Sequence, residues 1–220
     1  IATGTSGSMK NISQEAFCNI PAFLPPIAEQ KKIADILRTW DDAIEKQRTL
    51  IDKLRERREK ILKKVFHAAD WHEAPLKELA QVTTGQAAPQ DPKYFNKVHG
   101  LPFLRVSHLE SLIEGKGINH IEKISESSAE KLRLKKFPAG TTIFAKSGMS
   151  ALLPRVYQLS QPCYLVSHLA AVIPNSDVNP DFITLWFKMN PPVNLIQGDG
   201  FPSIRTSEIA ALSVKYPPLD

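Results

Sequence analysis

Residues 25–66 read PPIAEQKKIADILRTWDDAIEKQRTLIDKLRERREKILKKVF, and after Pro26 the stretch contains neither Gly nor Pro. From Ile33 the apolar positions recur at Leu37, Trp40, Ile44, Ile51, Leu54, Ile61 and Val65. The steps alternate between four and three residues once Gln47 and Arg58 are counted into the two positions between. This is the heptad seam of a coiled coil, and one seam needs one partner helix. Ile36, Leu50 and Leu62 widen the stripe beside it. Pro25 and Pro26 suit a helix entry, where a missing N–H costs nothing, and Glu29 falls where the helix dipole favours an anion. Lys60, Lys63 and Lys64 crowd the last turns, where cations are favoured. At about 1.5 Å per residue the helix reaches roughly 60 Å, longer than a small domain is wide, so it must project or bridge.

The remaining sequence has room for one further domain with a core. The chain has 220 residues, 42% of them apolar, and a net charge of +5. That mild basic excess permits nucleic-acid binding without requiring it. Lys53, Arg55, Arg57, Arg58, Lys60, Lys63 and Lys64 are interleaved with Asp52, Glu56 and Glu59, the pattern of a solvated helix face. Cys18 and Cys163 stand alone, which indicates neither a zinc site nor a disulfide framework. No apolar run reaches membrane-spanning length and no signal peptide is visible, so a cytoplasmic protein without membrane partners is expected.

Setting Pro25-Pro26 against Pro217-Pro218, an offset of 217 − 25 = 192, brings Ile12 onto Ile204, Phe17 onto Ile209 and Ile20 onto Leu212. Ile1-Ala-Thr-Gly4 then lies opposite Leu195-Ile-Gln-Gly198 with a short gap. Both copies read as Gly-rich loop, Ile, short amphipathic helix, apolar strand and Pro-Pro, which marks an architecture of two halves. Ser13 suits the cap of the first short helix, and Thr206 or Ser207 that of the second. From Leu76 the texture changes to short apolar runs and turns. Strands are expected at Phe103–Val106, Thr141–Ala145, Tyr164–Val166 and Leu169–Ile173, with helices after Ser125 and over Phe182–Met189. The class is α+β: a mixed α/β domain attached to one long coiled-coil helix.

Several stretches, in order, carry a family resemblance. Leu24-Pro-Pro-Ile-Ala-Glu-Gln30, Pro102-Phe-Leu-Arg-Val-Ser-His-Leu109, Ile124-Ser-Glu leading to Phe137-Pro-Ala-Gly-Thr-Thr-Ile143, and Gly198 followed by Ile204 and Tyr216-Pro-Pro218 resemble the DNA specificity subunit of type I restriction-modification enzymes. The resemblance implies two target recognition domains joined by two long antiparallel helices. It also implies docking of methyltransferase (modification) subunits that hold S-adenosylmethionine and, through them, of the restriction subunit. On that pattern residues 1–24 close a preceding recognition domain, 25–68 are the central helix, 69–216 are a second recognition domain, and 217–220 begin a distal helix. Cofactors (S-adenosylmethionine, Mg and ATP) are then expected only on the partner subunits.

The residues themselves point away from catalysis. Asn190-Pro-Pro-Val193 is similar to the Asn-Pro-Pro-aromatic signature of adenine methyltransferases, but Val193 has no face to stack on an extruded base, and no Gly-rich loop follows an upstream strand. The His, Asp and Glu residues form no metal spacing. For reading double-stranded DNA, four loops qualify by their position in the family pattern. They contribute Gln86, Gln90 and Lys93; Arg105, Ser107 and His108; Lys146, Ser147, Gly148 and Arg155; and Gly198, Asp199, Gly200, Ser203 and Arg205, with His168 facing the same groove. Gln86 and Gln90 have the donor and acceptor pair that fits adenine, the cations fit guanine or phosphate, Asp199 fits cytosine, and the glycines allow close approach to phosphate. Ile33, Leu37, Trp40, Ile44, Ile51, Leu54, Ile61 and Val65 are the helix-pairing set, and self-association through them is expected. The alternative reading is a coiled-coil adaptor whose globular domain binds protein.

Overall fold

The computed structural model describes residues 13–21, 23–66, 71–96, 98–196 and 200–217. The chain divides into two units, residues 1–59 and 60–220.

The first unit holds helix α1 (Gln14–Cys18) and most of α2 (Ile27–Phe66). Ser13 caps α1 as expected, its hydroxyl accepting the Ala16 N–H at 3.1 Å. At the entry of α2 the Gln30 side-chain amide reaches back to donate to the Pro25 carbonyl at 2.7 Å, while the Glu29 and Gln30 N–H groups close on Pro26. The Pro-Pro-x-x-Glu-Gln signature therefore works as a helix start in which Gln30 supplies the donor that the prolines lack. Along α2 no residue is buried. The seam residues are between 45% (Ile33) and 66% (Trp40) exposed, so the apolar stripe read from the heptads stands uncovered in this chain.

The second unit contains, in order, β1 (His72–Pro75), α3 (Leu76–Leu79), β2 (Ala80–Thr84), β3 (Leu101–Leu104), α4 (Leu109–Ile113), β4 (Lys123–Ile124), α5 (Glu126–Lys131), β5 (Thr142–Ala145), β6 (Val156–Gln158), β7 (Tyr164–Leu165), β8 (Leu169–Pro174), α6 (Pro180–Met189), α7 (Thr206–Ala210) and β9 (Ser213–Tyr216). Its centre is an antiparallel sheet of order β2-β8-β5-β6. A second sheet has the order β4-β3-β7, with β3 and β7 parallel, and β1 pairs antiparallel with β9. The α+β class expected from the sequence is the one observed.

Strand alternation divides the core in two. Ala170 and Val172 of β8 and Phe144 of β5 face α6, where the Phe144 and Phe187 rings lie 5.0 Å apart. Leu169 and Ala171 of β8 and Ile143 and Ala145 of β5 face the opposite way, onto Leu104, Leu109, Leu112 and Phe137. Within α6 the residues turned fully inward are Ile183, Thr184, Trp186 and Phe187. Leu185 and Met189, which helical spacing alone places inward, are only half-buried. The difference follows from the sheet, which takes the Ile183–Phe187 face and offers Thr142 as a hydroxyl partner for Thr184 at 2.7 Å.

Two further corrections concern ends. The cap of α7 is Arg205 rather than Thr206 or Ser207: Arg205 is the extended residue, and the Glu208 carboxylate accepts its N–H at 2.9 Å. Residues 68–75 follow the long helix, lack an apolar pattern and end in Pro75, which in sequence reads as a joint, yet 72–75 form strand β1, because β9 supplies a pairing partner that lies far along the chain. The end of α2 is seated within the second unit by an aromatic trio, Phe66, Trp71 and Phe182, with ring centroids 5.4 to 5.9 Å apart. No helix among the described residues is long and apolar enough to cross a membrane.

Candidate nucleic-acid interface

The strand register brings the expected loops to one rim. β2 and β5 both end where β8 begins, with Thr84 opposite Ala170 and Ala145 opposite Leu169. β6 begins beside the end of β5, with Val156 opposite Phe144. β3 and β7 end together at the same place: Val166 N–H donates to Leu104 O, and Gln86 N–H to Leu165 O. Gln86, Arg105, Lys146, Arg155 and His168 therefore leave the sheets side by side although they are scattered in sequence. Gly85 makes this convergence possible, since a Cβ there would sit 2.2 Å from the Leu165 carbonyl oxygen.

A ribbon ties in the last loop. Lys146 N–H donates to His168 O, Ile204 N–H to Lys146 O and Gly148 N–H to Pro202 O, at 2.8 to 2.9 Å, and Ser147 pairs with Ser203. The Ser147 hydroxyl lies 2.7 Å from His168 Nδ1. Gly148 holds φ at +77°, a conformation that favours glycine. Buried Ile204 anchors the ribbon from below. Gly200 is exposed beside it, while Gly198 and Asp199 lie outside the described residues.

The side chains differ in how free they are. Gln86 is occupied: its amide donates to Arg133 O at 2.8 Å and accepts from Lys135 N–H. In this chain it links two loops. Arg155 pairs with Glu110 at 2.8 Å, and Lys93 with Asp91 at 2.5 Å, where the lysine's hydrogen bond holds the Asp91 carboxyl below the usual range. The Gln90 amide donates to Ala88 O, two residues back. Arg105 lies over the Phe95 and Phe103 rings, 5.1 and 5.8 Å from their centroids, with Glu122 at 3.9 Å, on the wall of a groove of about 370 Å³. That arrangement holds the guanidinium while leaving the side chain 40% exposed. The Arg105–His108 loop is a tight 3-10 turn: His108 Nδ1 accepts the Arg105 N–H at 3.1 Å, and Ser107 is exposed. Burial lowers the His108 pKa, helped by the charges of Arg105 and His120 and opposed by Glu122. Lys146 and Arg205 have no acidic partner among the described residues. Lys135, Met149 and Phe201 also lie along this rim, and no local pattern marks them, since apolar residues such as the last two carry no recognition signal in sequence. Cys163 is buried and its thiol is pushed up to about 12, which leaves it unreactive.

Residues 3–55 and 68–220 match the family model of the type I restriction modification DNA specificity domain. The chain belongs to this family. The match covers most of the helix and nearly all of the second unit. A curated member, the specificity subunit of the type I restriction enzyme MjaIX of Methanocaldococcus jannaschii, is 28% identical over 222 residues, which cover 88% of this chain and 49% of that one. The chain thus spans about half the length of that relative. Two solved structures share the fold. The S subunit of a type I restriction-modification system from M. genitalium has a TM-score of 0.60 over 98% of this chain and 56% of that one. The HsdS subunit from Thermoanaerobacter tengcongensis has 0.54 over 89% and 48%; both are 17% identical to this chain.

Proposed function

We propose that this chain is the part of a type I restriction-modification specificity subunit that reads one half of a bipartite target in double-stranded DNA. The observation that supports it is the convergence of six strand termini, those of β2, β3, β5, β6, β7 and β8, on one rim that carries the Lys146 and Arg205 side chains, without an ion pair among the described residues, and a pre-positioned Arg105. Cations of this kind set register on phosphates, and a held arginine can address guanine O6 and N7. Ser107, Ser203, Gln90 and His168 complete the polar surface, and the glycines of the ribbon permit close approach to the backbone. Residues 1–24, 25–68, 69–216 and 217–220 keep the roles given them by the family pattern. The chain performs no chemistry itself: it docks methyltransferase subunits and, through them, the restriction subunit, and those partners carry S-adenosylmethionine, Mg and ATP. Selection from a random duplex pool, repeated over a salt series, tests the reading. Enrichment of one short sequence with affinity falling steeply in salt is expected. Binding without sequence preference, or no binding, favours the adaptor reading.

A further inference from the structure

Two large apolar side chains stand out of the polar rim. Phe201 is 76% exposed and Met149 72%, on a surface where neighbouring apolar residues such as Ile204 and Leu169 are buried. They project from the two paired arms of the ribbon, and the edge of the Phe201 ring lies over Gly148, 3.8 Å from where a Cβ would stand there. The base under them is stiff. Gly148 N–H is bonded to Pro202 O, Ile204 is locked in the core, and Pro202 confines the backbone of Phe201 to extended conformations. Lys146, His168 and Arg205 belong to the same ribbon or follow directly on it, and residues 146–150, 167–168 and 200–205 contain no Asp or Glu.

An apolar tip on a hydrogen-bonded ribbon that also carries Lys146, Arg205 and His168 is complementary to a polyanion with an apolar interior. A protein partner would not by itself call for that charge pattern. Resting on the DNA reading above, we infer that Phe201, with Met149 beside it, is a wedge that enters a base-pair step of the bound duplex and unstacks it. Such insertion kinks the duplex and is easiest at pyrimidine–purine steps, so the wedge adds sequence preference at a position where no hydrogen bond is made. Lys146 and Arg205 then hold the phosphates on either side of the opened step.

The test uses the 220-residue chain and a duplex of about 30 base pairs that it selects from a random pool, with 2-aminopurine placed at successive positions. Fluorescence is expected to rise at one step on binding. Phe201→Ala should abolish the rise and weaken binding about tenfold, with Met149→Ala smaller in both respects. Phe201→Trp should keep the rise. The slope of log affinity against log salt should not change in any of the three, because every cation is retained. Both side chains are exposed, so melting midpoints should match the parent chain. Absence of any brightened step, or equal brightening with Phe201→Ala, overturns the wedge while leaving sequence-specific binding intact. Normal unstacking by Phe201→Ala, with loss of capture of the modification subunit, makes this a protein-docking surface and overturns it as well. A pool that yields no preferred sequence removes the DNA reading and the wedge together.

Discussion

Phe17 and Ile209 occupy the same position in two short helices with the same backbone bonding, yet Phe17 is 67% exposed and Ile209 is fully buried. In α1 the Asn19 N–H closes on Glu15 and Phe17; in α7, 192 residues on (211 − 19), the Ala211 N–H closes on Ser207 and Ile209. The Ile20 and Leu212 N–H groups repeat the match. Local sequence therefore makes the same turn twice, and only tertiary burial differs. Hydrogen exchange should show α7 and β9 strongly protected and α1 close to the rate of an unstructured chain. Stronger protection of residues 13–21 than of 206–216 would reverse the assignment of the second copy to this domain. The alignment's other anchor, Ile12, lies outside the described residues.

The rim predicts a division of labour among polar residues that look alike in sequence. Lys146→Ala should weaken binding to all duplexes alike and lower the salt slope by about 0.9, as expected for one lost phosphate contact. Gln86→Ala should instead cost at most about 1 kcal/mol of stability, because it removes two exposed hydrogen bonds whose backbone partners at 133 and 135 water can then take up. Arg155→Ala should cost at most about 1 kcal/mol, since its partner Glu110 is more than half exposed. Urea titrations and binding isotherms on the three variants separate these cases. A change in preferred sequence with unchanged stability in Gln86→Ala would return that residue to base reading.

How much of this was legible beforehand depends on the range of the interaction. The long helix, the Ser13 cap and the Ser125 cap of α5 are decided by neighbours within a few residues, and the structure has them where the sequence does. Strand β1 was not legible: His-Glu-Ala-Pro has neither alternation nor β-branched residues, and it pairs only because β9 arrives beside it. The loops of the rim were found by resemblance, but the occupation of Gln86 was not. Its partners lie 47 and 49 residues away, and no local pattern announces them.

Acid should loosen the Arg105–His108 turn. Folding depresses the His108 pKa below its ordinary value of 6.5, chiefly through burial, because the neutral ring accepts the Arg105 N–H while the charges of Arg105 and His120 disfavour a proton. Glu122 acts in the opposite sense. On acidification the unfolded chain takes up its proton first, so the stability this residue contributes is present above about pH 6.5 and is lost as pH falls through the depressed value. Thermal midpoints of the parent chain should drop between pH 7 and 5. In His108→Asn, which keeps an acceptor and does not titrate, the drop should be smaller. An identical drop in both would assign the acid sensitivity elsewhere.

The exposed seam of α2 also fixes the direction in which two copies should pair. Its steps of four and three residues read the same from either end, so an antiparallel pair in full overlap sets each seam position against another: Ile33 opposite Val65, Leu37 opposite Ile61, Ile44 opposite Leu54 and Gln47 opposite Ile51. The same register sets Arg58 opposite Trp40, where a guanidinium can lie on an indole face. A parallel pair would instead bring Arg58 against Arg58 inside the seam, a like-charge contact with no anion to relieve it. Sedimentation should therefore show a concentration-dependent dimer, and Leu37→Asp with Ile44→Asp should abolish it. Orientation is read by mixing two variants in which Cys18 is replaced by Ser. With Ile33→Cys in one and Val65→Cys in the other, mild oxidation should cross-link the mixture and neither variant alone. A cross-link within the Ile33→Cys population would mean a parallel pair and would overturn the role given to Arg58. A strict monomer at high concentration would mean that the seam does not pair two copies of this chain.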